Sequence, residues 1–244
     1  ASLVGSEMCI RDRRIRASYK DIFRVPTFTD LYYLRMGNTN LKPEETSQYN
    51  VGVTWSSSCG DWLRHFSISA DGYYNTVKDK IVALPTMYVW KMMNMGEVDI
   101  KGVDVNLSTQ FRLPLRMSLL LASTYSFQYA VDVTDPEAKN YKDQIPYTPR
   151  HSGTVSVTLE NPWVNVSYIL TAVGDRYALP QNIDRNRIDS YIEQSISINR
   201  DFRFRYFGLR LQGELLNLAN VNYDVIQYYP MPGRSWRLSI CLSY

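Results

Sequence analysis

The chain holds two histidines, His65 and His151, the side chains best suited to proton transfer near neutral pH. His151 follows Pro149 and Arg150, with Asp143 in the polar stretch before it. A general base needs a positioned partner within hydrogen-bond reach. Linear spacing supplies none for either imidazole, and His65 falls beside a short turn, so each is read as a solvated histidine and no enzyme is expected. Asp132, Asp135 and Glu137 offer oxygens to a hard cation but lack the spacing of a calcium loop. They read as a solvated acidic loop, and no metal is assigned. Cys9, Cys59 and Cys241 have neither metal spacing nor a paired framework. No glycine-rich phosphate cradle or nucleophile elbow occurs, and no cofactor is expected.

Binding chemistry is more plausible. Long polar segments carry Tyr32, Tyr33 and Arg35, then Met87, Tyr88 and Trp90, then Tyr177, Arg185 and Arg187, then Tyr228 and Tyr229. Aromatic rings stack on flat ligands, and arginine suits carboxylate or phosphate. Tyr32, Tyr33, Arg35, Tyr88, Trp90, Tyr177, Arg185 and Tyr228 are therefore the expected ligand contacts. The competing reading is an aromatic belt at a membrane interface plus ordinary loop polarity.

The elements that must position these residues are strands. From Arg234 to the end, Trp236, Leu238, Ile240, Leu242 and Tyr244 alternate with Arg237, Ser239, Cys241 and Ser243, a period of two with one apolar and one polar face. Similar alternation marks about ten candidates of roughly the 9 to 11 residues that cross a bilayer at a barrel's tilt. Examples are Tyr49, Val51, Val53 and Trp55, and the run Leu115, Met117, Leu119, Leu121, Tyr125, Phe127 and Tyr129, where aliphatics give way to aromatics. Val98 and Ile100 are out of phase with Val103, Val105 and Leu107, which predicts a bulge near Lys101 and Gly102. Tight turns at Ser57 to Asp61, Phe111 to Pro114, Glu160 to Trp163 and Asn199 to Phe204 alternate with long segments at Asp21 to Glu45, Lys78 to Lys91, Val131 to Tyr147, Gly174 to Asn186 and Ala219 to Arg234. The fold class is all-β: an antiparallel up-and-down transmembrane β-barrel with its short turns periplasmic and its long loops extracellular.

Composition fits. The chain is 45% hydrophobic and 21% charged, and its 19 tyrosines exceed 8 phenylalanines and 5 tryptophans, supplying rings with polar tips for an interface. No run of about 18 apolar residues exists, so no membrane helix is expected. A mean hydropathy of -0.30 is compatible with a wall that shows lipid only alternate residues. A net charge of +3 is too small and too scattered to point to nucleic acid.

Particular phrases then carry a family resemblance. FRVPTFTDLYY (Phe23 to Tyr33), GNTNLKPE (Gly37 to Glu44), NMGEVDIKGVDVNL (Asn94 to Leu107) and ELLNLANVNY (Glu214 to Tyr223) resemble, in order, the barrel phrases of TonB-dependent outer-membrane receptors. The resemblance implies a plugged barrel of roughly 22 strands, of which this chain is about the ten C-terminal ones, with plug and earlier strands absent. It implies uptake of a scarce nutrient across the Gram-negative outer membrane: a ferric siderophore, cobalamin, haem or oligosaccharide. Its implied partners are outer-membrane lipid, the TonB complex through the plug, the small-molecule ligand, and the barrel assembly machinery reading Trp236, Leu238, Ile240, Leu242 and Tyr244. The alternatives are a passive porin or adhesin-type barrel and, further off, a rim-site protease. Ser2 to Arg13 resembles translated sequencing-adapter DNA, so residues 1–13 are set aside as non-native and the barrel domain is expected over 14–244.

Overall fold

In the computed structural model, residues 10–85 and 88–243 are described. Cys9, Met87 and Tyr244 lie outside them. Ten strands form one antiparallel sheet: β1 (Ile10–Arg24), β2 (Glu44–Cys59), β3 (Leu63–Pro85), β4 (Trp90–Leu113), β5 (Met117–Asp132), β6 (His151–Glu160), β7 (Asn165–Val173), β10 (Tyr191–Arg203), β11 (Gly208–Leu216) and β14 (Ser235–Ser243). Two small hairpins sit in the long connections: β8 (Arg176–Tyr177) with β9 (Arg187–Ile188), and β12 (Asp224–Ile226) with β13 (Tyr229–Pro230). Each long strand pairs with its neighbours in sequence, and β1 and β14 are the two edges, so this is a wall of an up-and-down barrel that does not close on itself.

The pairing aligns alternate residues of all ten strands into two faces. One face carries Arg16, Asn50, Asp71, Asp104, Ser126, Thr154, Thr171, Glu193, Glu214 and Arg237, one from each strand. Polar contacts stitch it from edge to edge: Arg16 to Asp71 at 2.9 Å, Ser126 to Asp104, Thr158 to Ser167 at 2.9 Å, Asn165 to Asn199 at 3.2 Å, and Arg210 to both Asp201 oxygens at 2.6 and 3.0 Å. The opposite face is aliphatic and exposed, with Ile240 at 63% and Val51 at 59%. An exposed apolar face of this extent suits contact with hydrocarbon. Tyr19, Tyr49 and Tyr74 line up along one border of it, with ring centroids 4.8 and 6.5 Å apart. Trp55 and Phe66 meet at 5.4 Å near the other border, as interfacial aromatics should.

The short turns are built to close tightly. In the turn between β4 and β5 the Met117 amide donates to the Pro114 carbonyl at 3.2 Å, and Leu115 and Arg116 both take positive φ, 59° and 60°. This is the twist-matched geometry of a hairpin turn. Leu115 therefore belongs to the turn, not to the apolar row of β5 as its sequence parity implied.

Two further expectations are corrected. Within the segment Lys78 to Lys91, residues 78–85 and 90–91 are strand, not loop. β3 and β4 continue pairing from Lys80↔Met95 out to Pro85↔Trp90, forming a ribbon that projects beyond the aromatic border. Nor does a bulge interrupt Lys101 and Gly102, because β4 pairs with β5 without a shift from Val98↔Asp132 to Leu113↔Met117. The phase change is instead an exchange of environments. Below Gly102 the outer side carries Val103, Val105 and Leu107. Above it the outer side carries Lys101 and Asp99, while Ile100 and Val98 continue the inner side and are buried with Val77, Met95, Ala130 and Ile145. Gly102 marks the crossover: a Cβ there would overlap the Phe127 carbonyl and the Tyr73 ring lying over it. β1 also begins upstream of Arg14, pairing from Ile10↔Ser58.

Candidate functional site

The family-like phrases act as fasteners at the feet of the long loops. Thr27 caps helix α1 (Phe28–Tyr32) in a reciprocal box with Asp30: the Thr27 amide donates to Asp30 at 2.9 Å and the Asp30 amide to Thr27 Oγ1 at 3.2 Å. That donated N–H, and the Arg24 guanidinium 3.4 Å away, hold the Asp30 carboxyl below its usual range against the opposing effect of burial. Asn94 clamps Lys42 at both ends of its backbone, accepting from its N–H at 2.9 Å and donating to its carbonyl at 3.1 Å. Glu44 accepts the Ile81 amide at 3.1 Å. Asn217, buried with φ 49°, accepts the Val221 amide and donates to the Val221 carbonyl, both at 2.9 Å. Its small amide both tolerates the left-handed backbone and satisfies the turn.

Above these feet the ribbon of β3 and β4 and the segments 133–150, 174–190 and 217–234 enclose a cleft of about 550 Å³ at the loop end of the polar face. Val82, Leu84 and Trp90 line it from the ribbon, Ile145, Pro146 and Tyr147 from the next loop, Arg176 from the third, Tyr191 from the start of β10, and Val225 and Ile226 from β12. Trp90 and Tyr147 approach at 5.6 Å. Tyr191 and Tyr223 stack at 4.1 Å, and the Tyr223 hydroxyl donates to Glu193 at 3.2 Å. Burial and then the negative Glu193 push the Tyr223 phenol up to about 12, so it remains a neutral donor at physiological pH. Burial also raises the Tyr147 phenol, opposed by its contact with the Gln227 backbone and by Arg176.

The expected ligand residues disperse. Trp90 lines the cleft, and Tyr177 borders it, its carbonyl accepting the Tyr147 amide at 2.7 Å. Tyr32, Tyr33 and Arg35 are exposed on the 25–43 segment, Arg185 and Tyr228 are exposed on two other loops, and Tyr88 is 91% exposed at the ribbon tip. Sequence reasoning missed Tyr147, Arg176, Tyr191 and Tyr223. Only Tyr191 carried a readable signal, an aromatic ring in the polar row two residues before Glu193. Trp236, Leu238, Ile240 and Leu242 form the apolar row of edge strand β14, all exposed.

The other chemistry does not assemble. His151 Nδ1 lies 2.9 Å from the Tyr125 hydroxyl on the apolar face, while Asp143 accepts the Asn182 amide at 3.0 Å. Asp132 is occupied by Thr134 and by Asn140 at 2.8 Å. Among the described residues no three acidic, histidine or cysteine side chains gather as metal ligands.

Known proteins agree with this architecture. Over 221 residues the chain is 24% identical to the vitamin B12 transporter BtuB of Vibrio vulnificus, covering 88% of this chain and 32% of that protein. It is 27% identical over 224 residues to BtuB of Photobacterium profundum, again 88% against 32%. It thus spans about a third of the length of these relatives. Among solved structures, the copper transporter OprC superposes with a TM-score of 0.69 at 16% identity, over 95% of this chain and 36% of that one. BauA, the ferric preacinetobactin receptor of Acinetobacter baumannii, does so at 0.66 and 13%, over 95% and 34%. Residues 10–218 match the family described as TonB dependent receptor-like, beta-barrel, and it is to this family that the chain belongs.

Proposed function

We propose that the chain forms part of the wall and outer mouth of a larger outer-membrane receptor, residues 14–244 being its barrel portion, which imports a scarce nutrient with energy delivered by the TonB complex through a plug. One observation carries this reading: the cleft opens on the polar side of a wall whose other side suits lipid, so a ligand held at the mouth is already on the lumen side. The polar face offers a plug a surface rich in hydrogen-bonding groups, including a recess of about 580 Å³ lined by Arg16, Asn50, Asp71 and Asp104. The exposed apolar row of β14 suits capture by the barrel assembly machinery. Cobalamin is the first ligand to test, because the aligned relatives are named for it; ferric siderophores, haem and oligosaccharides follow. The experiment is uptake of radiolabelled cyanocobalamin, then of ferric siderophores, by cells expressing the full-length receptor with and without TonB. Uptake lost without TonB and after deletion of 133–150 supports the proposal. Uptake that persists without TonB marks a passive pore and overturns it.

A further inference from the structure

Arg176 is a buried cation that lacks a counterion. It is 4% exposed. Its Nη2 donates to the main-chain carbonyls of Asp224 and Val225, the latter at 3.2 Å. Its guanidinium lies 5.5 Å from the centre of the Tyr191 ring, and its Nη1 has no partner. Nearby carboxylates are committed elsewhere: Asp175 to Arg187 at 2.8 Å, Glu193 to Tyr223 at 3.2 Å, and Asp224 to the Tyr228 amide at 3.1 Å. Among the described residues no ion pair includes Arg176. A buried guanidinium held only by neutral carbonyls and a ring face is poorly compensated for the water it has lost, and an unpaired buried donor calls for an acceptor. The cleft that Arg176 lines supplies room for one, between rings and apolar side chains.

We propose that Arg176 anchors an anionic oxygen, carboxylate or phosphate, of a ligand whose flat apolar body packs against Trp90 and Tyr147. Nη1 is enclosed by protein, so the anion enters by displacing the Val225 carbonyl, 3.2 Å from Nη2, and spans both nitrogens, which gives Nη1 the acceptor it lacks. A charged acceptor in place of a neutral one makes the exchange favourable. The proposal rests on reading the cleft as the ligand pocket of an importer, but its test is independent of transport.

In the full-length receptor reconstituted in nanodiscs, equilibrium dialysis measures binding of 2-naphthoate, 2-naphthyl phosphate and neutral 2-naphthamide. At least one anion is expected to bind tenfold or more tighter than the amide, and the better anion identifies carboxylate or phosphate as the recognised group. Arg176→Gln is expected to erase that preference while leaving amide binding unchanged. Arg176→Lys, which keeps the charge and so guards against misfolding, is expected to retain part of the preference. Equal binding of all three probes, or an anion preference that survives Arg176→Gln, overturns the anchor. Transport lost without TonB alongside either result leaves the import reading intact and removes only this inference.

Discussion

Along β4, Val103, Val105 and Leu107 point to one side of the sheet while Val98 and Ile100 point to the other, and the pairing with β5 never slips between them. Below the crossover the outer side is an exposed apolar row and the inner side is polar. Above it the outer side is wet, carrying Asp99 bonded to Thr76 at 3.3 Å and Lys101 over the Tyr129 ring at 5.2 Å, and the inner side packs against a folded loop. One strand therefore obeys two burial rules in succession. The comparison teaches that parity in a barrel strand reports which side is dry at that height, and that a phase change can signal an exchange of surroundings as readily as a bulge.

The largest predicted effect strikes the upper region alone. Val98 is 0% exposed, so Val98→Asp buries an unpaired charge at a cost of about 4 kcal/mol. Hydrogen exchange should accelerate in the ribbon and in 133–150 while β10, β11 and β14 stay protected. Uniform loss of protection across the sheet would show that the two regions are not separable. Next, Val105→Arg places a charge on the apolar face between the aromatic borders and should cost about 2–4 kcal/mol in a refolding titration into lipid vesicles. Ser108→Lys on the polar face should cost much less. If the two cost the same, the faces have been misassigned.

The clamps give smaller effects. Asn94→Ala strands the Lys42 amide and carbonyl and should cost about 1–2 kcal/mol, read as faster protease cleavage within 25–43. Thr27→Ala removes the cap of α1 and should cost about 1 kcal/mol. Because the Asp30 carboxyl is held below its ordinary value of 3.8, its contribution is complete above that pH and disappears as the pH falls through the lowered value. Exchange of the α1 amides should therefore rise on acidification below 3.8, and Asp30→Asn should abolish that dependence.

Much of this was legible in the sequence and some was not, for physical reasons. The wall could be read because one apolar and one polar face impose a strict period of two, as in Trp236 to Leu242. Tight turns could be placed from strand ends, though Leu115 shows that parity alone cannot tell a strand residue from a turn residue with positive φ. Lys78 to Lys91 read as a loop because Ile81, Val82, Ala83 and Leu84 are apolar in succession, with no alternation to announce a strand. The cleft was the least legible part. Arg176 is enclosed by β12, 48 residues away in sequence for its Asp224 contact, and no local pattern foretells burial made by so distant a segment. Tyr32, Tyr33 and Tyr88 were singled out by residue type alone, which carries no information about which loops converge.

Asn94 also has a mechanical meaning. By gripping both the N–H and the carbonyl of Lys42, and with the Met92 amide bonded to the Met36 carbonyl at 2.9 Å, the ribbon and the 25–43 segment are geared together. A push on the ribbon's tip is passed to the root of β2 as well as down β3 and β4. The mouth should therefore flex as a linked lever, with the rows beneath it taking up the load.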